Sequence, residues 1–282
     1  MRLLALLVPV LIAACATVSP PAGVALEVSG DRLFLPVTIN GQSVPGLLDS
    51  GAEMSLIDDG AAARLGLPLA GAETAKGTGG TAEVRFADNV RVEAAGVALP
   101  PATVAVLDLG DLVARLFKRP VDAIVGRELF DSGRLFIDIE GGRLGAVPRD
   151  VEPRGIRYTL TTHKGIETLP VAVEGHPPVQ ADFDLGNGSE VLVGRAYAER
   201  IGLTAPDRIV ERKSGGGIGG AVERDIVVLK SLTVGGRTFR NVRAAIDPTD
   251  NAADLNIGVR ILRHFRITTD FPQHALWLEP RS

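Results

Sequence analysis

Two aspartates in this chain sit in stretches that read almost alike: Asp49 in LLDSGAEMSLI, residues 47–57, and Asp184 in DFDLGNGSEVLV, residues 182–193. Asp49 ends an apolar run that reads as buried strand, Asp184 ends the matching strand of the second copy, and each is followed two positions later by a glycine, Gly51 or Gly186. A glycine there lets the backbone turn sharply and brings main-chain N–H groups close to the carboxylate. If the two turns meet, carboxylates about 3 Å apart cannot both ionise, so the pair holds one proton and titrates as a unit. That is an acid and a base in one place, able to activate water and protonate a leaving amine. A lone Asp-x-Gly is an ordinary β-turn. The chemistry therefore depends on whether the chain brings its two copies together.

The surrounding sequence is written twice. LPVTING at 35–41 returns as LPVAVEG at 169–175, AARLGL at 62–67 as AERIGL at 198–203, and GTGG at 77–80 as GIGG at 217–220. Near the end of each half, IVGRELFDSGRLFIDIEGGRL at 124–144 matches NIGVRILRHFRITTDFPQHAL at 256–276 with an offset of 132. Blocks repeated in one order mark two copies of one fold. Two such lobes packed about a pseudo-twofold axis can place both aspartate turns at that axis.

Composition suits short strands. Of 282 residues 45% are hydrophobic but only 4% aromatic, so Val, Leu, Ile and Ala must fill the core, while 33 Gly and 18 Pro punctuate it. Within each half the pattern predicts strand, turn, strand ending at the aspartate, a short helix (about 58–65 and 194–201), a glycine-rich hairpin and paired strands. A second short helix after Gly126 or Gly258 and a last strand follow. We divide the chain into a first lobe at 24–147, a linker at 148–155 and a second lobe at 156–282. Asp138 and Asp270, each just before a turn, are assigned to hairpin geometry.

The N-terminus, MRLLALLVPVLIAAC, has a basic start, an apolar stretch and small residues before Cys15, the layout of a secretory signal. Its end resembles a bacterial lipoprotein signal, which implies lipidation of Cys15, a signal at 1–15, a tether at 16–23 and an exported, envelope or periplasmic chain anchored to membrane. Cys15 is the only cysteine, so no intrachain disulfide can form. A net charge of −4 without a basic cluster gives no case for nucleic acid. The histidines, His163, His176, His264 and His274, lack ligand spacing, so no metal is expected. GGGIGG at 215–220 follows polar ERKS instead of a strand, which argues for a hairpin tip over a dinucleotide loop. No G-x-S-x-G surrounds Ser50 or Ser189.

LLDSGAEMSLI resembles the D-[ST]-G-A-x-x-[ST] turn of retropepsin-like aspartic proteases, and AIVGRELF at 123–130 resembles the segment that closes their lobe. The resemblance spans residues 24–282. It implies a mostly β fold of two pseudo-symmetric barrel lobes with short helices and a cleft between them. It also implies an endopeptidase in which Asp49 and Asp184 are catalytic, with Gly51 and Gly186 supporting the turns, no cofactor, a peptide or protein substrate and a monomer. Gly77, Gly79 and Gly80, with Gly217, Gly219 and Gly220, fall where substrate-covering flaps are found. Ser50 matches the hydroxyl that braces the two turns; in the second copy Leu185 replaces it, so a symmetrical pair of hydroxyl bonds is excluded. That loss motivates the alternative of a catalytically impaired peptide-binding pseudoprotease. The resemblance further implies an ion pair of Glu53 with Arg127 beneath the site, absent from the second lobe, where Gly188 and Val259 stand.

Overall fold

The computed structural model describes residues 23–281, so the expected signal with Cys15 and nearly all of the expected tether lie outside the described residues. Arg32–Ile39 and Gln42–Leu48 pair as a hairpin whose turn end alternates buried and exposed residues, while Arg32–Leu35 and Gly46–Leu48 are buried on both faces. The first lobe's sheet runs in the order 69–77, 80–90, 102–107, 56–58, 123–125, 42–48, 32–39, 92–94 and 97–98, with 27–29 added beside 32–39. The second lobe's sheet runs 161–163, 166–173, 179–183, 255–257, 191–194, 237–247, 220–234 and 209–217. A further pairing of Ile166–Val173 with Gly220–Val234 curls it closed.

The lobes join through a third sheet of six strands. Arg134–Asp138 lies antiparallel to Phe265–Asp270 in the register Arg134↔Asp270, Phe136↔Thr268, Asp138↔Arg266. The central pair is separated by 268 − 136 = 132 residues, the same offset as the sequence repeat, so each residue there faces its own copy. The pseudo-twofold axis passes through this pair. On it the two cores merge, with Phe130 of the first lobe stacked on Phe271 of the second at 5.1 Å and Phe183 edge-on to the same ring at 6.3 Å.

The expected short helices form at Asp59–Arg64, Arg195–Arg200, Arg127–Asp131 and Val259–Leu262. Asp58 caps the first, accepting from the Ala61 N–H at 3.1 Å, and its other oxygen accepts from Leu109 N at 3.1 Å. Asp138 does shape a hairpin, accepting from Gly141 N at 2.9 Å. Asp270 does not: it is fully buried between Arg134 at 3.2 Å and Arg149 at 3.0 Å, tying the segment between the lobes to the shared sheet. No helix of the described residues is long and apolar enough to cross a membrane.

Candidate active site

Each aspartate turn is held by the same main-chain device. Ala123–Val125 runs parallel to Gln42–Leu48, and Asp49 N donates to Val125 O at 3.0 Å; Leu255–Ile257 runs parallel to Val179–Phe183, and Asp184 N donates to Ile257 O at 3.1 Å. The closing segments thus pin both acids at strand ends on the axis.

The turns meet face to face. A Cβ on Gly186 would fall 2.2 Å from the Asp49 carboxyl carbon, and one on Gly51 would fall 3.0 Å from that of Asp184. Each glycine is needed because the opposite carboxylate occupies the space a side chain would take. Asp49 accepts from Gly51 N at 2.8 Å. Asp184 is better served: Gly186 N at 2.9 Å and Asn187 N at 3.0 Å converge on Oδ1, and Asn256 Nδ2 reaches Oδ2 at 2.7 Å. Burial, then the neighbouring Asp184, push the Asp49 carboxyl up to about 7, against the pull of Gly51 N–H and Arg32. With three donors on Asp184 and one on Asp49, the pair's negative charge is better stabilised on Asp184 and its proton belongs on Asp49.

Ser50 spans the axis alone. Its buried hydroxyl donates to Phe183 O at 2.8 Å and accepts from Leu185 N at 2.9 Å, so one side chain bonds both sides of the opposite turn. Leu185 is fully buried in the apolar core, where no hydroxyl could be returned without loss of packing.

The expected pairing of Glu53 with Arg127 is not what the structure contains. Glu53 is exposed and lies against Gly165. Arg127 instead bonds Asp131 at 2.9 Å, and it crosses to the second lobe to meet buried Glu167 at 2.8 Å and the Gly165 carbonyl. The acid that serves the first turn is Glu128, which accepts from Ser55 N at 2.8 Å and Ser55 Oγ at 2.9 Å. At the same two positions the second lobe carries Glu190 and Arg260, 3.4 Å apart, so the charge beneath this turn is reorganised and not simply lost.

Three further residues at the site were not expected from the sequence. Arg32, 7% exposed, donates from Nη1 to the Gly186 carbonyl, and its charge acts on both Asp184 and Asp49. Asn256 stands where the first lobe has Ile124; a polar residue inside an otherwise matched apolar segment was the signal that could have found it. Beside it lies Asp182, 7% exposed, whose Oδ1 has no hydrogen-bond partner among the described residues. Burial, then Asp184, push its carboxyl up to about 7, with Lys164 opposing.

The glycine-rich hairpins cover the site. Leu69–Gly77 and Gly80–Val90 form one, Ile209–Gly217 and Gly220–Val234 the other, with Gly77 paired to Gly80 and Gly217 to Gly220. Their tips touch: Gly79 N donates to Ile218 O at 2.9 Å, and a Cβ on Gly79 would lie 2.1 Å from Gly220 O. Gly219 stands in the tip itself, so all six predicted glycines lie where the hairpins converge. Each lobe also holds the other's hairpin. Arg115, ion-paired with Asp111 at 2.6 Å, donates to Gly217 O at 3.1 Å, while Arg224, held by Asp247 at 3.0 Å, donates to Thr78 O at 3.0 Å.

The family model described as "Aspartyl protease" matches residues 35–129 and 169–261, one match in each lobe. A crystal structure of a retropepsin-like aspartic protease from Rickettsia conorii is similar at 17% identity and a TM-score of 0.36, covering 44% of this chain and 88% of that one. No curated protein matches the chain in sequence.

Proposed function

The chain belongs to the aspartyl protease family, and from that premise we propose that it is an exported endopeptidase hydrolysing peptide bonds with a water activated between Asp49 and Asp184. The observation that carries this reading is the unequal hydrogen bonding of two carboxylates packed against each other's glycine. Asp184, the better solvated anion, takes a proton from the attacking water. Asp49 gives its proton to the carbonyl oxygen as the water oxygen adds to the carbonyl carbon. The resulting diol collapses when Asp184 passes its proton to the amide nitrogen, Asp49 takes one back from a diol hydroxyl and the C–N bond breaks, so that one water is consumed and the pair is restored. The paired hairpins exclude bulk solvent, and their main chain can bond an extended peptide. The Ser50 bridge argues for a working dyad over the pseudoprotease alternative, since the brace survives from one side.

Cleavage of a peptide mixture by the full chain in H2¹⁸O tests the chemistry. One ¹⁸O in each new carboxyl, with no covalent peptide–protein adduct trapped on denaturation, is the expected result; a trapped adduct, or no internal cleavage at any pH, would overturn the proposal. Export and tethering are supported by the N-terminal pattern. A mature chain beginning at acylated Cys15, read by mass, is expected, and one that retains Met1 would count against it.

Because catalysis needs the proton on Asp49, kcat/KM is expected to fall as pH rises through about 7. Stability should follow in the same direction. Asp49 and Asp182 both move from an ordinary 3.8 to about 7 on folding, so the native state binds more protons between those values. Their contribution is complete below about 4 and is lost as pH rises through about 7. The parent protein should melt lower at pH 8 than at pH 5, and Asp182→Asn should narrow that gap; an equal gap in parent and variant would refute the assignment to Asp182.

A further inference from the structure

Strand register places a row of side chains on the floor of each half of the cleft, and the two rows differ in chemistry. In the first lobe Phe34, Leu47, Ile124, Leu56 and Ala105 are successive register partners across the sheet. Residues in register share a face, and these five belong to one apolar cluster, against which Ile218 of the opposite hairpin tip packs. The matching row of the second lobe reads Thr168, Asp182, Asn256, Leu192 and Ala245. Only its far end is apolar, where Leu192 and Ala245 cluster with Ile226.

The polar end of this second row opens on the dyad. Asn256 bonds Asp184 directly, and its register partner Asp182 shares its face of the sheet, two positions before Asp184. Asp182 Oδ1 is buried and unpartnered among the described residues, its neighbours being bonded elsewhere. The Asn256 amide donates to Asp184 and accepts from Asn187, while the Thr168 hydroxyl is engaged with Thr161 and Gln180. Lys164, the nearby cation, is exposed and bonded to Asn251 O. A buried acceptor left unmet is costly, and a charged donor relieves that cost best.

We infer that the second-lobe half of the cleft receives a basic side chain of the substrate, lysine or arginine, next to the scissile bond, with Asp182 as its partner, while the first-lobe half receives an apolar one. The inference rests on the protease reading for the scissile bond but not for the pocket. Its test therefore uses binding as well as cleavage.

Reduced-amide hexapeptides, which cannot be hydrolysed, would carry lysine, glutamine or norleucine at each of the two positions flanking the reduced bond. Binding to the full chain is read by calorimetry, and the corresponding amide peptides are assayed for cleavage. Lysine in place of norleucine should tighten binding about tenfold or more at one position and weaken it at the other. Asp182→Asn should remove that preference, and Asp182→Leu, which installs the first lobe's residue, should reverse it, with melting curves checking that both variants fold. Equal binding of lysine and glutamine, a lysine preference that survives Asp182→Asn, or no binding would overturn the inference. A lysine preference without cleavage would leave this pocket standing and sink the protease reading. Cleavage that depends on Asp49 without a lysine preference would do the opposite.

Discussion

Asp49→Asn and Asp184→Asn are each expected to lower kcat/KM by about 10³-fold or more while leaving the fold intact. Asparagine keeps the carboxylate's shape but can neither give up nor take the proton that the reaction moves between the pair. The two variants should part company in stability. At Asp49 an amide oxygen can still accept from Gly51 N, and the burial cost and repulsion that raise this carboxyl vanish, so Asp49→Asn should melt higher than the parent at pH 8. At Asp184 an amide oxygen can meet Gly186 N and Asn187 N, but its NH2 would then face the Asn256 NH2, two donors without an acceptor. Asp184→Asn should therefore melt lower than Asp49→Asn, by a difference worth roughly 1–3 kcal/mol. Steady-state cleavage and thermal melts of the two proteins suffice. Turnover within tenfold of the parent in either variant would remove the dyad from the mechanism, and equal melting would remove the asymmetry assigned to it.

What could be read in the sequence was what the duplication wrote twice. The offset of 132 returns as the register of the shared sheet at Phe136 and Thr268, and the matched Asp-x-Gly turns and glycine hairpins all converge at the axis. Residues that act singly were hidden for a physical reason. Arg32, Arg115 and Arg224 matter because long side chains cross from one lobe to the other, and no local period or spacing encodes where such a chain ends. The same freedom misled the expectation for Arg127, which was matched with Glu53 of its own lobe but found Glu167 across the lobe boundary. Asn256 and Asp182 were legible only as departures, polar residues at positions where the first copy has Ile124 and Leu47. A repeat thus reports its chemistry twice: once where the copies agree, which builds the shared dyad, and once where they differ, which makes the two halves of the cleft unequal.

The unequal brace leads to the second large effect, expected for Ser50→Ala. In a symmetrical pair of hydroxyls either one could be lost and the other would still tie the turns. Here Ser50 alone bonds Phe183 O and Leu185 N, and Leu185 offers nothing in return. Alanine would leave a buried carbonyl and a buried N–H unmet on the two sides of Asp184, at about 1–3 kcal/mol each unless the turn moves to recover them. Either outcome displaces Asp184 relative to Asp49, and a misplacement near 1 Å costs on the order of 10² in rate. Ser50→Ala should thus lose both stability and kcat, whereas Ser50→Thr, which keeps the hydroxyl, should lose little of either. Restoring symmetry with Leu185→Ser should not help. That leucine is wholly enclosed by the core, so its removal opens a cavity worth roughly 2–5 kcal/mol, and the new hydroxyl would begin life in apolar surroundings. Measured together, the three variants decide whether Leu185 is a defect or a substitution the fold has absorbed. A Ser50→Ala protein that keeps parental kcat and melting temperature would mean that the dyad needs no brace, and a Leu185→Ser protein more active than the parent would mean that the leucine had been holding the pair back.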